Sequence, residues 1–251
     1  MMRFILLLAI LFSCPTLWAA GEIAGGYEFT PDLSDQAALQ RGARTFVNYC
    51  LGCHSAAYMR YNRMGQDLGI PDSVLLKNFM FGTDKVGDTM TVAMSREDAI
   101  RYFGIAPPDL SVTARSRGAE WLYNYLMTFY RDPEKPSGVN NLVFKDVAMP
   151  HVLWELQGWQ EAVYVDEVDE NGLPVKRIER LELVAPPDEK PGVYQGEEYE
   201  QTVTELVNFM VYLGEPIILH RYSFGLWVIA YMGFLLIIAY FLKKEYWKDV
   251  H

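Results

Sequence analysis

Apolar positions recur at helical spacing ahead of the most informative motif in the chain. From Leu39 they fall at i, i+4, i+7, i+8 and i+11 (Ala43, Phe46, Val47, Cys50), with Ser34 or Asp35 where an N-cap belongs, so the pattern predicts a helix from Asp32 to His54. A second helix is expected from Asp72 to Met80. A third is expected from Ser95 to Phe103, where Ser95 and Asp98 approximate a capping box and Gly104 supplies the stop. Trp121 to Tyr130 reads as an aromatic core helix, and Glu200 to Leu213 as another. Ala162 to Val165 and Val175 to Val184 read as two strands joined through Glu170-Asn171-Gly172, whose Asn-Gly is a hairpin signal. The fold class that follows is mostly α, with a small β-hairpin insertion.

The two ends of the chain change this picture. Met1-Met2-Arg3, the apolar run Phe4 to Phe12 and the small residues near Ala19-Ala20 describe a secretory signal over 1–20, either cleaved or kept as an anchor. At the other end, Phe224 to Leu242 is nineteen residues without a charge, about 28 Å of helix and enough to cross a bilayer core. Lys243, Lys244 and Lys248 follow it, whereas Arg221 stands alone on the near side. The positive-inside rule then predicts a domain over 21–221 outside the cytoplasmic membrane, a transmembrane helix over 222–242 and a cytoplasmic tail over 243–251.

Charge is spread unevenly over the 251 residues. The net charge is -10, and the stretch from Glu155 to Glu205 holds all of it, with fourteen acidic and four basic residues. It is either a solvated acidic surface or a docking field for a basic partner. No basic patch of comparable size exists, so no nucleic-acid partner is expected.

The chemistry centres on Cys50-Leu51-Gly52-Cys53-His54. Cys-x-x-Cys-His is the attachment pattern of a c-type haem: two thiols three residues apart reach one side of a porphyrin, and the adjacent imidazole binds iron. A redox dithiol would follow a strand in a βαβ unit, and structural zinc would need a second ligand pair; neither is present in the pattern. Removal of the signal takes Cys14 with it and leaves Cys50 and Cys53, both used by one covalent haem. Arg60 and Arg63 are candidates for the haem carboxylates or for a solvated helix face.

Downstream, Ala106-Pro107-Pro108-Asp109-Leu110-Ser111 must be a rigid turn, because proline fixes φ and lacks a donor. It either presents a carbonyl to His54 or only ends one helix and begins another. The sixth iron ligand decides between carrier and catalyst. Met149 in a turn-rich loop stiffened by Pro150 is the leading candidate. Met80, Met90 and Met94, along with His151 and His220, are the others, and His151 is the serious rival.

Arg41-Gly42, Tyr49-Cys50-Leu51-Gly52-Cys53-His54-Ser55, Pro107-Pro108-Asp109-Leu110-Ser111, Met149-Pro150 and the C-terminal anchor together resemble the cytochrome c1 family, the haem subunits of ubiquinol-cytochrome c reductase (bc1), in its bacterial form. The resemblance implies haem c on Cys50 and Cys53, axial ligands His54 and Met149, and a basic residue near a haem propionate, matched by Arg117 with Arg115 second. It also implies a cytochrome c-like haem domain in the periplasm and partners in cytochrome b, a Rieske iron-sulfur protein and a soluble cytochrome c, within a dimeric complex of the inner membrane. No independent catalysis is expected. One departure is that many relatives continue the ligand Met as Ala-Pro-Pro, where this chain has Met149-Pro150-His151. The alternatives are an anchored monohaem subunit of another respiratory complex, such as a terminal oxidase, or a haem enzyme or sensor with an open sixth site.

Overall fold

A computed structural model describes residues 26–168, 172–184 and 196–249. The expected signal over 1–20, Cys14 and the Glu170-Asn171 turn lie outside them. Helix α1 spans Gln36–Tyr49, shorter at both ends than the periodicity predicts. Its N-cap is Asp35 and not Ser34, because the Asp35 carboxylate accepts from the backbone N–H of Ala37 (2.8 Å) and Ala38 (3.2 Å). The chain leaves helical geometry at Cys50, so His54 sits past the helix in a tight turn.

Next come β1 (Ala56–Arg60), α2 (Tyr61–Leu68), α3 (Asp72–Asn78) and the two-residue strand β2 (Thr89–Met90), which pairs antiparallel with β1. Helix α4 (Arg96–Phe103) starts as the capping pattern requires: Ser95 Oγ accepts from the Asp98 N–H at 3.1 Å, and Gly104 ends it at φ 76°. Two short helices follow the proline turn, α5 (Thr113–Arg117) and α6 (Ala119–Met127). The helix expected to run to Tyr130 ends at Met127. Phe129–Arg131 form strand β3, paired with β4 (Val139–Asn141), because those residues find ladder partners that a further helical turn would forgo.

After the single turn α7 (Trp154–Gln157) comes a long hairpin, β5 (Trp159–Val168) with β6 (Pro174–Val184), ten and eleven residues long. Its reach exceeds the two short strands expected, and Gly172 in its turn has φ 78°. Helix α8 spans Glu197–Gly214 and helix α9 Ile218–Tyr246. Within α9, Ser223–Tyr246 is apolar and long enough to cross a membrane, and none of it is buried against the rest of the chain.

The main core lies where α1, α2, α3 and α6 meet α8. Leu39, Ala43, Phe46, Met64, Leu68, Leu75, Leu122, Leu206 and Phe209 are buried there. Gly42 permits the crossing of α1 and α8: a Cβ on it would stand 2.0 Å from the Glu205 carbonyl oxygen and 2.9 Å from Phe209 Cβ. Beside it, Arg41 Nη2 meets the Glu205 carboxylate at 2.7 Å, so the Arg41-Gly42 pair joins α1 to α8 by contact and by charge. A satellite cluster of Phe129, Val139 and Val147 lies under the loop that carries Met149.

Candidate haem attachment site

The end of α1 shapes the thiol pair. The Cys50 and Leu51 N–H groups both return to the Phe46 carbonyl, and the N–H groups of Cys53 (3.1 Å) and His54 (2.9 Å) both return to the Cys50 carbonyl. Cys50, Cys53 and His54 are therefore drawn onto one compact turn. Both cysteines are free thiols, Cys50 buried and Cys53 half-buried. Burial, and then the neighbouring Cys53, pushes the Cys50 thiol up to about 12, so it stands protonated.

The imidazole is oriented by the proline turn. His54 Nδ1 lies 2.7 Å from the Pro108 carbonyl oxygen. A carbonyl only accepts, so Nδ1 carries the proton and Nε2 presents a lone pair. Burial lowers the pKa of His54, against the opposing influence of Pro108 and Asp109, and this favours the neutral ligand form. Of the two readings left open for the turn, the carbonyl partner is the one observed.

Asp109 clips the turn in place, a role the sequence did not reveal. Its carboxylate oxygens accept from the Ala57 N–H on β1 and the Ser111 N–H, both at 2.8 Å. Burial raises the Asp109 pKa, but these hydrogen bonds and nearby His54 outweigh it and hold the carboxyl below its ordinary value. Ser55 completes the seam: its carbonyl accepts from the Leu110 N–H (2.7 Å), and its hydroxyl accepts from the Val92 N–H (3.0 Å). Pro108 is thus held from both sides of the attachment turn.

Met149 is half-buried against the satellite cluster, and its Sδ accepts from the Tyr125 hydroxyl at 3.3 Å. Two buried asparagines fix its loop. Asn141 Nδ2 donates to the Tyr125 carbonyl (2.8 Å) while its Oδ1 accepts from the Val143 (2.9 Å) and Phe144 (3.0 Å) N–H groups. Asn140 Oδ1 accepts from the Asp146 N–H at 2.8 Å, and Asp146 itself sits at φ 60°.

The rival ligands sit differently. His151 is only 4% exposed and stacks on Phe129 with centroids 5.1 Å apart and planes 3° apart, edge-on to Trp159. Burial pulls its pKa down to about 4; Gln157 beside it opposes the shift without a hydrogen bond of good geometry to His151 Nε2. It is a neutral aromatic-core side chain. Met80 and Met90 are buried in the main core, and His220 is exposed in the first turn of α9 next to the apolar span.

Of the basic candidates, Arg117 lies over the Trp121 ring at 5.2 Å, Trp121 stacks on Tyr125 at 5.1 Å, and Tyr125 reaches Met149. Arg115 instead packs against Gly214 at the end of α8. Arg63 is held by Asp67 at 2.6 Å, and Arg60 donates to the Gly87 carbonyl. On the hairpin, Arg177 and Arg180 pair with Glu167, Glu179 and Glu182, so part of the acidic segment is neutralised locally. A surface cleft of about 530 Å³ between α1 and α8 includes none of the attachment residues.

Residues 28–171 match the model of the cytochrome C1 family. Over its full length the chain is 47% identical to cytochrome c1 of Allochromatium vinosum, covering 100% of both chains. The chain belongs to the cytochrome c1 family. It is also 45% identical to the ammonia monooxygenase gamma subunit of Nitrosomonas europaea, over 98% of this chain and 97% of that one. Cytochrome c1 of Rhodospirillum rubrum is 26% identical over 93% and 86%. As a cytochrome c1 this is a haem c protein, an electron-transfer subunit of the bc1 complex held to a membrane by its C-terminal helix. That membership implies cytochrome b and a Rieske protein as neighbours. The attachment turn fits the group: two free thiols three residues apart, and an imidazole whose Nδ1 is occupied by a carbonyl.

Proposed function

We propose that this cytochrome c1 takes single electrons from the Rieske iron-sulfur protein and passes them to a soluble cytochrome c. Haem c, when bound, supplies the one-electron iron couple. Cys50 and Cys53 would hold the haem covalently, and His54 and Met149 would ligate its iron. The observation that carries this reading is the His54 Nδ1–H donated to the Pro108 carbonyl at 2.7 Å, which fixes the imidazole beside the two thiols. The Asp109 clip keeps that acceptor in place. His151 is committed to aromatic packing, which leaves Met149 as the residue of that loop with a sulfur at a half-buried edge. Arg117 serves a haem propionate, supported by its place in the series that leads through Trp121 and Tyr125 to Met149.

The domain layout follows the charge pattern: a signal over 1–20, a periplasmic haem domain over 21–221, an inner-membrane span over 222–242 and a cytoplasmic tail over 243–251, within a dimeric complex. The acidic residues between Glu155 and Glu205 not neutralised by Arg177 and Arg180 form the docking field for a basic acceptor. Glu197, Glu198 and Glu200, gathered in the first turn of α8, are the densest part of it. The relative named as an ammonia monooxygenase gamma subunit favours a second reading, an anchored monohaem subunit of a different oxidising complex.

Purification from native membranes through a C-terminal tag separates these readings. Recovery with cytochrome b and a Rieske protein, and reduction of added basic cytochrome c that slows as salt rises, support the first. Recovery with monooxygenase or oxidase subunits in their place supports the second and removes the first. A salt-independent rate removes the docking field alone.

A further inference from the structure

We propose that Tyr125 is a positioning residue for the Met149 thioether, and that its hydroxyl holds the sulfur in one orientation and raises the reduction potential of the site. The inference rests on Met149 being the axial ligand. Three observations carry it. The hydroxyl lies 3.3 Å from Met149 Sδ, a weak acceptor that a half-buried phenol approaches only when the fold brings the two together. The ring cannot swing aside, being stacked on Trp121 (5.1 Å, 8° between planes) and edge-on to Phe129 (5.1 Å, 72°). The backbone of the same residue is tied to the Met149 loop, because its carbonyl accepts from Asn141 Nδ2 at 2.8 Å while Asn141 Oδ1 gathers the Val143 and Phe144 N–H groups. Tyr125 therefore meets this loop at both ends, through its carbonyl near the start and through its hydroxyl at the sulfur.

The chemistry follows from the sulfur's two lone pairs. One is taken by the O–H, and the other is left to point at a metal, so the hydrogen bond fixes which way the donor pair faces. The positive end of the O–H dipole at the sulfur withdraws density from the ligand. Ferric iron, with its extra positive charge, is disfavoured relative to ferrous, so the potential rises. Burial pushes the phenol's pKa upward, so the donor persists through neutral pH.

The test uses the detergent-solubilised complex with haem attached, comparing wild type, Tyr125→Phe and Met149→Leu by redox titration and by the weak long-wavelength absorption band of thioether-ligated ferric haem. Tyr125→Phe removes one oxygen and keeps the ring, and haem content checks assembly. The expected result is a lower midpoint potential, a shifted but present ferric band and faster cyanide binding to the ferric form. An unchanged potential and cyanide rate would show that Tyr125 only fills space and would overturn the proposal. Met149→Leu separates the two failures: if the band survives in that variant, the ligand assignment itself falls, whatever Tyr125→Phe does.

Discussion

Gly42→Ala adds one methyl group at the crossing of α1 and α8, and the structure says where it must go. The new Cβ would stand 2.0 Å from the Glu205 carbonyl oxygen, 2.7 Å from its carbon and 2.9 Å from Phe209 Cβ, whereas ordinary contacts begin near 3.4 Å. Two of the three obstacles are backbone atoms within a helix, so no rotamer change relieves them. The helices must part by roughly 1 Å, and Phe46 and Phe209, whose rings are 5.5 Å apart, lose contact with them. Overpacking of this kind costs about 1–3 kcal/mol, and weakened core contacts and the Arg41–Glu205 pair add to it. Alanine's better helix propensity offsets about 1 kcal/mol. The net loss is roughly 1–3 kcal/mol, or about 2–12 °C in midpoint for a domain of this size. Thermal unfolding of the haem-loaded chain in detergent, followed by far-ultraviolet dichroism and Soret absorbance, reads it. Gly82→Ala, with nothing within 4 Å of the added Cβ and ordinary φ, is the control and should be neutral. If Gly42→Ala melts with the control, the close crossing is not what fixes glycine beside Arg41.

Three further outcomes follow from the same geometry. Asp109→Ala, which removes the acceptor for the Ala57 and Ser111 N–H groups, should cost roughly 1–3 kcal/mol, with Asp109→Asn intermediate because it keeps one acceptor oxygen; denaturant midpoints of the three forms should rank in that order. Asn141→Ala deletes three hydrogen bonds at a residue 2% exposed and should loosen the Met149 loop by about 2–4 kcal/mol, read as carbon monoxide binding to the reduced protein where the parent binds none. His151, held neutral with its pKa lowered from 6.5 to about 4, binds a proton more readily unfolded than folded, so its contribution is whole above about 6.5 and lost as pH falls towards 4. That window is worth roughly 3 kcal/mol, and acid-unfolding curves of His151→Phe should be flatter across it than those of the parent.

The attachment turn, the Ser95 cap, the hairpin and the membrane span were legible because each is local: a motif, a cap, a turn signal or an apolar run within a few residues. The rigid proline turn was legible as a turn, and its carbonyl as one of two options. What escaped the sequence joins residues far apart through short polar side chains that read as ordinary turn formers. Asp109 reaches Ala57 across fifty-two positions, and Asn141 reaches Tyr125 across sixteen. Phe129 and Tyr130 continue the aromatic pattern of α6, so the sequence of strand β3 reads as the end of a helix. Only the ladder to Val139–Asn141 distinguishes the two states. Arg63 drew attention as a cation near the haem motif, but its partner Asp67, four residues on, was available in the sequence as an i, i+4 pair.

The two sides of the site are built from different materials, and that difference sets what each can tolerate. On the His54 side the acceptor is a backbone carbonyl between fixed proline dihedrals, and the clip that holds it bonds to backbone N–H groups of β1 and the turn. No side-chain substitution removes that carbonyl, so changes nearby act first on stability and only then on ligation. On the Met149 side the holds beyond the β3–β4 ladder include side chains: Asn140 and Asn141 on the loop, and the Tyr125 hydroxyl on a sulfur that accepts weakly. Loss of the Tyr125 hydroxyl can alter the strength and direction of the sulfur donor while the fold stands, whereas loss of either asparagine loosens the loop itself. Variation among relatives that adjusts potential without unfolding the protein should therefore collect at position 125, and leave Pro108, Asp109 and the buried Asn140 and Asn141 alone.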